Sequence, residues 1–185
     1  EPFSTNEWRT NAFISVSLNG AAGGGGATVD YKTWSGTATP GADYTNVTGT
    51  LTWTVGQSGI KTFAIPIVGD ALDEWDETIN LQLTNATGST VGGNTNTTLT
   101  ILDDDALPVV LFTEIPYSVD ESGSNTTVTV TLGAASGRDV AIDYAASDGT
   151  ATDGLDHTNV TGTLTWSEGE TGSKSFSVSV VEDMF

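Results

Sequence analysis

The sequence predicts an all-β protein: two tandem antiparallel β-sandwiches, each incomplete at one end. Three observations predict it. Apolar and polar residues alternate in period two along short segments rich in Thr and Val, the pattern of half-buried strands. Gly, Asn and Asp turns separate these segments, and no window carries a 3.6-residue period, so almost no helix is expected. Finally, VDYKTWSGTATPGADYTNVTGTLTW from Val29 returns as IDYAASDGTATDGLDHTNVTGTLTW from Ile142, an offset of 142 − 29 = 113. That is a tandem duplication of one module.

The elements follow in order. STNE at Ser4 answers SVDE at Ser118, an offset of 118 − 4 = 114, so one intervening turn differs by a residue. In AFISVSL, Ile14, Val16 and Leu18 point one way while Phe13, Ser15 and Ser17 point the other. AAGGGGA (21–27) lacks the Lys-Ser/Thr ending of a phosphate loop and reads as a hairpin turn. FAIPI (63–67) and INLQL (79–83) are the next alternating strands, and TTLTIL (97–102) closes the first copy. The second copy opens on VVLFTE (109–114) and continues through VTVTL (128–132) and FSVSV (176–180).

Overlaying the copies shows what each lacks. The first has no counterpart of VVLFTE; the second stops before any counterpart of INLQL or TTLTIL. Merged, they describe a sandwich of about seven strands. The modules are expected at 1–105 and 106–185. Two readings follow: the chain is a fragment of a longer array, or a sandwich lacking strands leaves unpaired edges that a neighbouring copy covers by strand addition, giving a dimer or filament.

Composition excludes whole classes of function. Acidic residues outnumber basic ones 24 to 5, for a net charge of −19. Nucleic acid, which needs clustered Lys and Arg, is excluded as a partner. An anionic membrane would repel the chain, and no apolar run reaches the roughly 20 residues of a span, so no membrane insertion is expected. With no cysteine there is no disulfide, thiolate site or cysteine nucleophile. Abundant Thr, Gly and Asn with little Lys suit a secreted β-protein.

Cations are the natural counterpart of this charge. Glu7, Asp43, the loop VGDALDEWDE (68–77) and the run Asp103-Asp104-Asp105 stand at strand ends that an antiparallel sandwich brings to one side. Two bare carboxylates about 4 Å apart repel by roughly 1 kcal/mol in water and by several at a protein surface. Hard oxygen donors without Cys or His nearby select Ca²⁺ over zinc or copper, and Mg²⁺ prefers fewer protein ligands. Asp73 and Asp76 are expected to be solvated loop charge.

The ordered set of features resembles the Calx-beta domain family. It comprises the turn from Gly36-Thr37-Ala38 to Asp43-Tyr44, its repeat from Asp148 to Asp156-His157, the GTLTW strand, the D-x-x-x-E-x-x-E loop and the terminal DDD. The resemblance implies an immunoglobulin-like sandwich that binds calcium. It implies ligands from Glu7, Asp43, Asp70, Glu74, Glu77, Asp103, Asp104 and Asp105 in the first copy. In the second copy Glu121, Asp156, Glu182 and Asp183 match, without an acidic loop or closing aspartates.

The resulting expectation is a non-catalytic, extracellular or cell-surface calcium-binding module of an adhesin, matrix protein or filament, stiffened by calcium at its inter-module hinge. Its rivals are an intracellular calcium-sensing regulatory module, as in exchanger loops, a strand-exchanging subunit of a homopolymeric fibre, and a domain appended to a secreted hydrolase. His157, the one histidine, has no nucleophile or orienting group in view and is read as structural. Trp53 and Trp166 recur at matching positions and are read as core; Trp8, Trp34 and Trp75 are not repeated.

Overall fold

The structure, a computed structural model, describes residues 3–123 and 125–182. Among them are twelve strands and no helix. The chain divides into two compact units: residues up to Ala71 with Trp75–Asp104, and Leu72–Glu74 with the residues from Asp105 onward.

The first unit holds β1 (Phe3–Asn6), β2 (Asn11–Leu18), β3 (Ala27–Ser35), β4 (Thr48–Trp53), β5 (Gly59–Pro66), β6 (Glu77–Thr87) and β7 (Asn96–Leu102). One sheet has the order β1-β7-β6-β3-β4; the other is β2-β5. The period-two pattern does what it should. Ala12 and Ile14 of β2, Phe63 and Ile65 of β5, Val29 of β3, Ile79 and Leu81 of β6, and Leu99 and Ile101 of β7 bury into a single core. Two features depart from a plain antiparallel ladder. β1 runs parallel to β7, from Phe3 opposite Leu99 to Asn6 opposite Leu102. β6 also shifts register against β3 between Thr28 and Asp30, where Asn85 takes a positive φ of 49°.

The second unit holds β8 (Val110–Phe112), β9 (Asn125–Leu132), β10 (Val140–Ala145), β11 (Thr161–Trp166) and β12 (Gly172–Ser179). Its sheets are β12-β9-β8 and β10-β11. Of the expected opening strand VVLFTE, three residues form β8, and its ladder is extended by bonds from Gly133 N–H to the Val109 carbonyl at 2.9 Å and from Thr113 N–H to the Thr129 carbonyl at 3.1 Å. Val130, Leu132 and Trp166 form its buried core, with Val110, Val140, Leu164 and Phe176 partly covered against them.

Duplication repeats down to single contacts. Trp53 Nε1 donates to the Gly59 carbonyl at 3.0 Å, and Trp166 Nε1 to that of Gly172 at 3.0 Å. Tyr31 stacks on Phe63 and Tyr144 on Phe176, each with centroids 3.9 Å apart. The described residues of the copies differ at β3 and β10. β10 starts at the position matching β3 (140 − 27 = 113) but ends three residues sooner. The last three residues of β3, Thr33, Trp34 and Ser35, pair with Leu81, Asn80 and Ile79 of β6. Among the described residues the second unit shows no such strand, and Ile142 is 37% exposed where its counterpart Val29 is 5% exposed.

Candidate metal centre

Three chain segments converge beyond the ends of β1, β5 and β7. Because β1 lies parallel to β7, the residue after it follows the same ladder: Glu7 N–H donates to the Leu102 carbonyl at 3.1 Å. Glu7 is thereby buried at the exit of β7. Beyond β5, Ile67 N–H donates to the Thr10 carbonyl at 3.2 Å and Val68 N–H to the Asp43 carbonyl at 2.9 Å. The chain then turns so that Asp70 N–H donates to Glu7 Oε1 at 3.3 Å. A Cβ on Gly69 would lie 2.6 Å from the Glu7 carbonyl oxygen, so this close approach requires glycine, and a second acid cannot sit there without a shift.

A carboxylate oxygen from each of Glu7, Asp70 and Asp105, which follows β7 by three residues, lies within 4.8 Å of the others. At such separations each pair repels by roughly 1 kcal/mol in water and by several where solvent is partly excluded, as it is around Glu7. A divalent cation turns that repulsion into attraction. Three hard oxygen donors, with no sulfur or imidazole among them, fit calcium.

The remaining first-copy acids have other work or other places. Asp43 Oδ2 accepts from Thr39 N–H at 2.6 Å, closing the GTATPGADY turn, while its main-chain carbonyl holds Val68. Asp76, expected to be solvated, accepts from Asp103 N–H at 3.1 Å and so ties the acidic loop to the β7 exit. Glu77 opens β6 opposite Ile101 and is half-buried, as is Asp103; Asp104 is exposed. Glu74 lies in the second unit, where a Cβ on Gly137 would strike its side chain.

Asp73 requires a correction. Rather than solvated loop charge, it is 4% exposed, in the second unit. Both of its oxygens are taken by the Arg138 guanidinium, with Nε at 3.0 Å from Oδ2, and Ser136 Oγ donates to Oδ2 at 3.2 Å. The Arg138 hydrogen bonds hold the Asp73 carboxyl below its ordinary value, against the opposing pull of burial. No local sequence signal links residues so far apart.

In the second copy, Asp156 repeats the turn chemistry of Asp43. Its Oδ2 accepts from Thr152 N–H at 2.7 Å and its carbonyl from Val181 N–H at 2.9 Å. Glu121 and Glu182 are exposed, and Asp183 lies outside the described residues. Among the described residues, Glu7, Asp70 and Asp105 are the one group of three or more acids whose oxygens lie within 4.8 Å of one another. His157 replaces Tyr44 in the turn, with Nε2 3.0 Å from Asn159 Oδ1.

A family model described as the Calx-beta domain matches residues 1–105 and again 103–185. Sodium/calcium exchanger 2 of Homo sapiens is 30% identical over 190 residues, covering 94% of this chain and 20% of the exchanger. The sodium/calcium exchanger Calx of Drosophila melanogaster is 28% identical over 145 residues, covering 78% of this chain and 15% of the exchanger. The chain thus spans at most about a fifth of these relatives. The crystal structure of calcium binding domain CBD12 of CALX1.1 aligns with a TM-score of 0.53 at 25% identity, covering 98% of this chain and 73% of that one. That of the apo-form Calx CBD1 domain aligns with a TM-score of 0.52 at 29% identity, over 56% of this chain and 90% of that one.

Proposed function

The chain belongs to the Calx-beta domain family, and on that premise we propose that it is a calcium-responsive regulatory module without catalysis of its own. The observation that carries this reading is the convergence of Glu7, Asp70 and Asp105 at the exit of β7. We assign the primary ion to these three side chains; Glu77, Asp103 and Asp104 stand on the adjoining segments. Calcium takes six to eight oxygens, so main-chain carbonyls and water complete the shell. Asp43 and Asp156 act in this scheme through their turns, which place the segments after β5 and β12.

The relatives favour the regulatory reading over the surface-adhesin one. They are sodium/calcium exchangers, in which this chain matches about a fifth of the length or less. Ion exchange itself is not assigned to these residues.

Calcium titration of the chain, followed by calorimetry and thermal unfolding, tests the proposal. Calcium is expected to bind and raise the melting temperature, magnesium to do so far less, and Glu7→Gln with Asp70→Asn to abolish both effects. Identical unfolding with and without calcium would reject the site. The constant separates the two settings: 10⁻⁵ M or tighter fits a sensor, whereas about 10⁻⁴ to 10⁻³ M returns the reading to an extracellular module.

A further inference from the structure

The five-stranded sheet turns one face to the core and the other to solvent. Val29 and Thr33 of β3 are buried, with Ile79 and Leu81 of β6 and Leu99 of β7, so the alternate residues Asp30, Lys32 and Trp34 stand on the outer face. The register fixes their neighbours. Asn80 lies opposite Trp34, and Thr98 opposite Asn80. Two residues along, Thr48, Lys32, Gln82 and Asn96 form a row across four strands. Such a row spans three strand spacings, about 14 Å. All five strands belong to the first unit.

Charge sets this face apart. The chain carries 24 acids against 5 bases, yet at the outward positions of the five strands the charged side chains are Asp30 and Lys32, which cancel. Asp30 is also engaged within the protein: its Oδ1 accepts from Thr50 Oγ1 at 2.6 Å and its Oδ2 from Asn85 Nδ2 at 3.0 Å. Most of the remaining side chains are Thr, Asn or Gln. Asn80 Nδ2 donates to the Ser35 carbonyl at 2.8 Å, which leaves its side-chain oxygen as an acceptor. Gln82 and Thr98 make no side-chain hydrogen bond among the described residues.

Trp34 is the one aromatic side chain at these positions. It is 39% exposed, with Lys32 Nζ 5.7 Å from its ring centre. The fold does not call for it. Its repeat position, 34 + 113 = 147, is Ser147, whereas the core pair Trp53 and Trp166 is kept. An apolar platform set among neutral donors and acceptors matches the chemistry of a sugar ring, whose C–H face stacks on an indole and whose hydroxyls both donate and accept. We propose that this face binds a neutral, unbranched oligosaccharide, with Trp34 under one ring and the row from Thr48 to Asn96 beside it. An acidic sugar chain would be repelled by the net charge of −19, and a protein partner would need a larger apolar centre than one indole. The proposal stands apart from the calcium reading, and neither depends on the other.

Isothermal titration calorimetry of the chain in chelator tests it, with cellohexaose, maltohexaose and mannohexaose as neutral probes and hexagalacturonate as the charged one. At least one neutral hexasaccharide should bind and change the tryptophan emission, and hexagalacturonate should not bind. Trp34→Ser, which installs the residue that the repeat carries, should keep the thermal unfolding curve and weaken binding at least about tenfold, as loss of an aromatic anchor does. Gln82→Ala should weaken it severalfold, which tests the row without touching the indole. Trp75→Ala, in the loop before β6 and off this face, should leave it unchanged. Failure of every neutral probe to bind at millimolar concentration would overturn the proposal. So would equal binding of hexagalacturonate, or full affinity in folded Trp34→Ser or Gln82→Ala.

Discussion

At the scale of single residues, the NVTGTLTW stretch shows how a repeated letter records a repeated contact. A Cβ on Gly49 would lie 2.5 Å from Tyr31 Oη, and one on Gly162 2.5 Å from Tyr144 Oη. Each tyrosine lies across its cross-strand glycine and stacks on a phenylalanine behind it. Gly162→Ala should therefore destabilise its unit by about 1–3 kcal/mol in urea unfolding, as overpacking does. Adding Tyr144→Phe should recover part of the loss, because the nearest clashing atom is gone; no recovery would point to backbone strain instead. The Asp73–Arg138 pair gives a second expectation. Arg138→Met strands a buried carboxylate and should cost roughly 2–4 kcal/mol, whereas Asp73→Asn/Arg138→Met together should cost less than the single change. In the sequence Gly162 is legible only as a recurring letter, and Asp73 reads as loop charge although it is buried against Arg138. A buried partner brought in by the fold leaves no mark on the loop that receives it. At Asp43 the sequence shows the turn but not the hydrogen bond that one carboxylate oxygen accepts from Thr39 N–H within it.

At the scale of elements, the alternating segments announced themselves because one face of each meets a core. β1 did not, since FSTN is too short to show a period and its parallel partner lies at the far end of the unit. That pairing nevertheless delivers Glu7 to the exit of β7. The shortened β10 has the complementary lesson: strand length depends on the neighbour as well as on the residues. Among the described residues, β3 is bonded on both sides and β10 on one. Amides of Ile142–Ala145 that face away from β11 should exchange with solvent at least about tenfold faster than their counterparts in Val29–Lys32, since local opening needs only one ladder to part. Hydrogen exchange followed by NMR resolves the two sets; equal protection would mean that something else covers the β10 edge.

At the scale of the whole molecule, the described residues form two units whose buried cores differ in size. The buried apolar core comprises sixteen residues in the first unit and three in the second, among those described. Stability follows buried apolar area, so the second unit should melt first and calorimetry should show two transitions. Glu7 and Asp70 belong to the unit with the larger core, so calcium should act on the upper transition. Free calcium at a hundredfold excess over its constant adds about 2.7 kcal/mol. For a unit of this size each kcal/mol is worth about 4–8 °C, giving a rise of roughly 10–20 °C in the upper transition. Glu7→Gln with Asp70→Asn should leave the lower transition in place and remove that rise. A single transition, or a calcium shift carried by the lower one, would show that the ion is held by something other than the carboxylates at the end of β7.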